Sequence, residues 1–158
     1  MKTKKGLMKL IFAGFFIFCL FAISSCKKDS SPDNRPYTLK GDASGSQMVP
    51  AVTGDGTGTF DGTYDPATKT LTYTTNWSNL TGAPISGGFY NGASGSAGTA
   101  VGAPWTMDST WTGTGTYSGT MTLTPEQASQ LIGGNWYYSM GTSANPSGEM
   151  RGQISATR

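Results

Sequence analysis

The pattern of hydrophobic and polar positions divides the chain into two unlike parts. The first part has a basic start, continues as an apolar run over residues 10–23, and ends at Ser24 and Ser25 before Cys26. The run is shorter than the roughly 20 residues with which a helix spans a bilayer. A basic start, an apolar stretch and small residues before a cut are typical of a secretory signal. We therefore expect residues 1–25 to be a leader that is removed.

From residue 37 onward, the pattern changes to the alternation that is typical of half-buried β-strands. In the segment from Thr70 to Trp77, one face carries the apolar side chains and Thr75, and the other face is polar: Leu71, Tyr73, Thr75 and Trp77 against Thr72, Thr74 and Asn76. This period of two predicts a strand. The turn residues of 65–69 precede it, and we expect residues 56–64 to be its antiparallel partner.

The second half of the chain repeats this pattern around one short helix. Residues 112–123 alternate as a strand, and residues 135–140 and 149–156 are predicted as the last strands, on either side of a loop at 141–148. The helix is predicted from a capping box at Thr124–Gln127, with Pro125 at its first position. Its apolar face is Ala128, Leu131 and Ile132, and Gly133-Gly134 ends it. Many short strands at this spacing predict an all-β fold.

Charge and cysteine content narrow the possible functions of the mature chain. Four of the eleven basic residues lie in the leader, which leaves seven Lys and Arg against nine Asp and Glu. The mature chain thus lacks a basic footprint, and we expect no nucleic-acid partner. Of the two cysteines, Cys19 lies in the leader and Cys26 at its end, so no disulfide is expected within the β-domain.

The end of the leader resembles the lipobox of bacterial lipoproteins. The matching residues are Ile23-Ser24-Ser25-Cys26. The resemblance implies that Cys26 carries a diacylglycerol, that the leader is cut before it, and that its new amine is acylated. An ordinary secretory signal with an incidental cysteine is the alternative. Residues 26–36 have no apolar side chain apart from prolines and the cysteine, which favours a disordered tether. We expect a lipid-anchored protein of the bacterial cell envelope at the outer membrane, with exposure on the cell surface left open as an alternative.

The segment from Gly134 to Gln153 resembles the closing motif of the CHRD domain, a family named after chordin and common in exported bacterial proteins. The positions shared with the motif are Tyr137, Thr142, Pro146, Gly148, Glu149, Arg151, Gly152 and Gln153. Weaker matches begin near Gly41 and continue through 71–82, so that the resemblance covers most of residues 37–158. It implies an immunoglobulin-like antiparallel β-sandwich with a faint likeness to copper–zinc superoxide dismutases, and no established activity.

Histidine is where this chain departs from the family it resembles. Family members carry a His-x-His pair in the middle of the domain and a third histidine in the closing motif. Here Gly88-Phe89-Tyr90 stands at the pair and Gly141 at the third position, and the chain contains no histidine. Imidazole is the usual nitrogen ligand of zinc and copper. We therefore expect no metal site, no bound cofactor, and no catalytic nucleophile activated by histidine.

Other candidate residues have both a structural and a functional interpretation. Asp55, Asp61 and Asp65 are interpreted as turn residues, with a calcium site as the alternative. Glu149 and Arg151, two residues apart, are interpreted as an ion pair or a strand-to-loop hydrogen-bond network that fastens the last strand, with a binding or catalytic pair as the alternative. The aromatic residues near the missing histidines are a candidate interaction surface, with a place in the core as the alternative: Phe89, Tyr90, Trp105, Trp111 and Tyr138, with Trp136 and Tyr137 beside them. A flexible Gly/Ser/Ala loop is predicted at 92–102.

These observations favour a lipid-anchored envelope protein with a non-enzymatic binding or structural domain. Its expected partners are the membrane, through the anchor, and an envelope protein or a glycan. A metal-binding or superoxide-dismutase-like envelope protein is the first alternative, and a glycan-binding accessory lipoprotein is the second.

Overall fold

The computed structural model describes residues 33–158 as a nine-stranded antiparallel β-sheet with one short helix. The expected leader, Cys26 and most of the expected tether lie outside the described residues. The strands are β1 (Tyr37–Ser44), β2 (Thr57–Asp65), β3 (Thr70–Ser78), β4 (Pro84–Asn91), β5 (Thr99–Val101), β6 (Gly115–Thr122), β7 (Trp136–Thr142), β8 (Met150–Gln153) and β9 (Ser155–Thr157). A 3₁₀ turn covers Gly45–Gln47, and the helix α1 covers Pro125–Ile132.

The β2–β3 hairpin forms where the alternation predicts it. The two strands pair from Thr57 opposite Ser78 to Asp65 opposite Thr70 without a break in register. In the turn, the Asp65 carboxylate accepts a hydrogen bond from the backbone N–H of Ala67 at 2.8 Å. The predicted inner face is buried, at Leu71, Tyr73, Thr75 and Trp77.

The sheet curls so that its two halves face each other across an aromatic core. The strand order is β5-β4-β7-β8-β1-β2-β3-β6, with β9 paired to β1. Because β8 meets β1 at Ser44 and β9 pairs with β1 over Thr38–Lys40, the end of the chain joins the two halves. Between the halves, the ring centroids of Phe60 and Tyr138 are 5.5 Å apart. The predicted all-β, sandwich-like fold with one short helix is confirmed.

The capping box of α1 is formed by the predicted residues. The Thr124 hydroxyl accepts a hydrogen bond from the backbone N–H of Gln127, and the Gln127 side chain accepts one from the backbone N–H of Thr124. Leu131 is fully buried and Ala128 nearly so, which fixes the helix against the sheet. Among the described residues, no helix has the length and apolar character that crossing a membrane requires.

Some element boundaries differ from the predicted ones. The predicted loop at 92–102 contains the short strand β5, because residues 99–101 find backbone partners on β4. β7 continues to Thr142, two residues into the predicted loop, and β6 begins only at Gly115.

Candidate ligand-binding site

Strand β7 is buried on both of its faces, and this double burial creates the candidate site. The inner face packs in the core, with Tyr138 and Met140 fully buried. On the outer face, Tyr137 and Ser139 are also buried, although the period-two alternation of a strand requires burial of one face only. The segment between β4 and β5 lies over this face, where the Gly98 N–H donates to the Tyr137 hydroxyl at 3.1 Å.

Arg151 also holds this segment over the sheet. The register places Arg151 of β8 opposite Ser139 of β7. Its guanidinium donates to the backbone carbonyls of Ser96 at 2.6 Å and Ala93 at 2.8 Å, and to the Gln153 side chain at 3.1 Å. It also lies 3.6 Å from the centroid of the Tyr137 ring. Burial lowers the pKa of this guanidinium, against a smaller opposing influence of Tyr137.

Glu149 belongs to a separate network and does not pair with Arg151. Its carboxylate accepts hydrogen bonds from the Thr81 backbone N–H at 2.7 Å, from the Thr81 hydroxyl at 2.6 Å, and from the Thr142 hydroxyl. Burial raises the pKa of Glu149, but the hydrogen bonds from Thr142 and Thr81 outweigh it, so that the net shift is downward. Of the two expected forms of this polar pair, the geometry is that of hydrogen-bond networks to neighbouring segments rather than of an ion pair.

A pocket of about 200 Å³ opens beside the Arg151 guanidinium. Its wall is formed by two strand faces and two loop segments, and we call it the Arg151 pocket: Met48, Val49, Tyr90, Ala97, Gly98, Tyr137, Ser139, Ser147 and Arg151. The rings of Tyr90 and Tyr137 stack on its floor at 5.1 Å between centroids. Burial, and then the neighbouring Tyr137, raise the pKa of Tyr90, so its hydroxyl stays neutral and can donate a hydrogen bond.

The residues of the expected aromatic interaction surface do not form one exposed surface in the structure. Phe89, Trp105 and Tyr138 are core residues with 4%, 6% and 0% exposure: the curl of the sheet turns the Phe89 and Tyr138 faces inward, and Trp105, between β5 and β6, packs against Phe89. Trp111 is half-buried and packs against Trp77, with ring centroids 5.0 Å apart. Tyr90 is the one member of the five that lines the pocket.

The three positions at which the resemblance to the CHRD domain implies histidine lie on the same outer face as Arg151. Gly88 is opposite Ser139, Tyr90 is opposite Tyr137, and Gly141 is opposite Ser86. A β-carbon at Gly88 would fit without a clash, in ordinary van der Waals contact with Pro104 at 3.7 Å. At Gly141, a β-carbon would lie 2.6 Å from the Ser86 hydroxyl, so a side chain there requires a shift of its neighbours.

The carboxylates on the turns do not gather into a metal site. Within residues 33–158, no group of three or more His, Cys, Asp or Glu side chains has the proximity to hold an ion. Asp61 instead forms an ion pair with Lys40, and Asp65 caps its turn. Asp65 therefore has the expected contact in a turn, whereas Asp61 does not lie in a turn: it stands within β2, where its partner is Lys40.

Sequence reasoning missed the pocket itself. It singled out Tyr90 and Arg151 for unrelated reasons, and it did not single out Val49, Ala97 or Ser139. No local signal brings these residues together, because they come from segments that are distant in sequence and meet only when the sheet pairs. The alternation of β7 also gives no sign that its outer face is covered.

Comparison with known proteins assigns the domain to a family. The family model for the CHRD domain matches residues 39–154, which run from within β1 to just past the end of β8. No curated protein and no solved structure matches the chain. The matched range contains the pocket and both buried charged residues. The chain belongs to the CHRD domain family.

Proposed function

We propose that this protein is a lipid-anchored component of the bacterial cell envelope whose CHRD domain is a non-enzymatic binding module. The anchor is inferred from the apolar leader that ends at Ser24-Ser25-Cys26. Acyl chains contribute about 0.8 kcal/mol per buried methylene group, and more than one chain is needed for stable attachment. A lipidated Cys26 with an acylated amine meets that condition.

The observation that carries the binding role is the way in which Glu149 and Arg151 are used. An acid–base catalyst needs a titratable group within hydrogen-bond reach of a bound substrate. Glu149 is instead occupied by Thr81 and Thr142, and Arg151 by backbone carbonyls and Gln153. The Arg151 pocket thus offers donors and aromatic surface for recognition and no general base beside them.

The anchor is tested by growing an expressing bacterium with radiolabelled palmitate and recovering the full chain. We expect label in the wild-type protein and none after Cys26→Ser. Cys19→Ser is the matched control, because Cys19 lies within the expected leader, and this variant should be labelled like the wild type.

Label that persists in the Cys26→Ser variant, or an unlabelled wild-type protein found free in the medium, would contradict the anchor. In the first case the lipid is attached to another residue, and in the second case the ordinary secretory signal becomes the better interpretation of the leader.

A further inference from the structure

We propose that the Arg151 pocket binds the carboxylate of a small ligand, either a free organic acid or a uronic acid at the end of a glycan. This inference rests on the proposed binding role of the domain and gives that role a ligand chemistry.

The charge of Arg151 is buried without an acidic partner among the described residues. Its exposure is 2%. The ion pairs of residues 33–158 join Asp33 to Arg35 and Arg158, and Asp61 to Lys40, so none reaches Arg151. Desolvating a charge is costly unless it is paired, and the carbonyl groups here supply dipoles but no opposite charge. An anion in the pocket would neutralise the charge of Arg151.

The Arg151 guanidinium is held in place and still retains N–H groups that can donate to a ligand. Three hydrogen bonds hold it, to Ser96, Ala93 and Gln153. A guanidinium has more N–H groups than these bonds use. Gln153 is itself fixed by donating to the Gly92 and Gly134 carbonyls at 3.0 and 2.8 Å. A donor fixed in this way loses little freedom when a ligand binds, and its hydrogen bond to an anion is charge-assisted.

The size and lining of the pocket favour a small ligand with a single carboxylate. At about 200 Å³ it lies below the usual range of about 300–1,000 Å³ for drug-sized ligands, so it suits a single ring or a short acid. Met48, Val49 and the stacked ring of Tyr90 supply apolar and aromatic surface next to the charge. One buried cation matches a singly charged carboxylate better than a phosphate, which carries more charge than the pocket neutralises.

The test is a calorimetric titration of the full chain, purified in non-ionic detergent, with two matched pairs of probes. Benzoate is compared with benzamide, and glucuronate with glucose, because each pair differs in the charged group. We expect the charged member to bind at least about tenfold more tightly in at least one pair, since charge-assisted hydrogen bonds contribute that much. Tighter binding of benzoate identifies a free acid as the source, and tighter binding of glucuronate identifies a glycan end.

A variant pair places the effect in this pocket. Val49→Glu puts a carboxylate beside Arg151 and should weaken binding of the charged probe at least about tenfold by competing for the guanidinium. Ile85→Glu is the matched control, because Ile85 is another exposed apolar side chain, at 49% against 42% for Val49, and does not line the pocket. Ala97→Trp, at an exposed position, fills the same space without adding charge and serves if Val49→Glu lowers the melting temperature.

Equal affinity for the charged and neutral probes, no binding of any probe, tighter binding of inorganic phosphate, or equal loss in the Val49→Glu and Ile85→Glu variants would each overturn the assignment. The palmitate experiment is read separately. A labelled chain that binds no carboxylate contradicts the pocket alone, and an unlabelled chain that binds one contradicts the anchor alone.

Discussion

Glu149 and Arg151 are two buried charges, each at 2% exposure, that stand two residues apart and serve different parts of the molecule. Glu149, directly before β8, forms hydrogen bonds with Thr81 and Thr142. Arg151, within β8, forms hydrogen bonds with the segment between β4 and β5. Removing one partner from such a network leaves the remaining buried groups without a bond, which costs more than the bond itself contributes.

Glu149→Gln is expected to lower the free energy of unfolding at pH 7 by about 2 kcal/mol. The new NH₂ group would face the donors of Thr81 and Thr142, and two donors cannot form a hydrogen bond with each other. In the folded protein, the pKa of Glu149 lies below its ordinary value of 4.5. Its ionised form therefore stabilises the fold above that value, and the stabilisation is lost as the pH falls through the folded pKa. Melting temperatures of wild type and variant should converge between pH 7 and pH 3.

Glu126→Gln is the control for this pH series, since Glu126 is an exposed carboxylate on α1. Its melting curve should stay close to that of the wild type. Wild-type and Glu149→Gln curves that remain parallel at acid pH would show that the Glu149 carboxylate contributes no pH-dependent stability.

Helix α1 depends on its first turn and on its buried face, because eight residues are too few for a stable isolated helix. The Thr124 hydroxyl satisfies one of the free N–H groups at the helix start, and Leu131 anchors the other end in the core.

Thr124→Ala should therefore lower the free energy of unfolding by about 1 kcal/mol, as measured by urea denaturation. Ser129→Ala is the control, since Ser129 is exposed within the same helix and alanine is at least as good a helix former there. A Thr124→Ala variant as stable as the control would mean that the capping box is dispensable.

The sequence predicts those elements whose signals are local. The β2–β3 hairpin has strict alternation and a turn between its strands, and α1 has a capping box and a terminal glycine pair. Strand β4 has neither, because Pro84 begins it and Gly87 and Gly88 interrupt any alternation. It forms by backbone pairing with β7 on one side and β5 on the other, which is a property of the partners.

At the scale of the whole molecule, the last strands make the two halves of the sheet into one structure and also build the pocket. β8 pairs with β7 and meets β1, and it carries Arg151 to the covered face. At the other end, Asp33 pairs with Arg158, whose guanidinium lies 3.9 Å from the centroid of the Tyr37 ring. The start of the described chain therefore lies beside its end, on a surface made by β1 and β9.

The pocket could not be predicted for the same reason that the burial of the aromatic residues could not. Phe89 and Tyr90 are adjacent in sequence and point to opposite faces of β4, one into the core and one into the pocket. Alternation predicts that the two faces differ, but which one is inside depends on the curl of the sheet. The converging of Val49, Ala97 and Arg151 depends on tertiary structure alone.

We propose that this domain works in recognition through the Arg151 pocket and not through a metal centre. The most direct measurement is a calorimetric titration of the purified full chain with Zn²⁺ and with Cu²⁺. Because the chain contains no histidine, and because no group of three or more His, Cys, Asp or Glu side chains within residues 33–158 is close enough to hold an ion, we predict no stoichiometric uptake at micromolar concentrations. Uptake of one ion per chain with micromolar affinity would contradict the account.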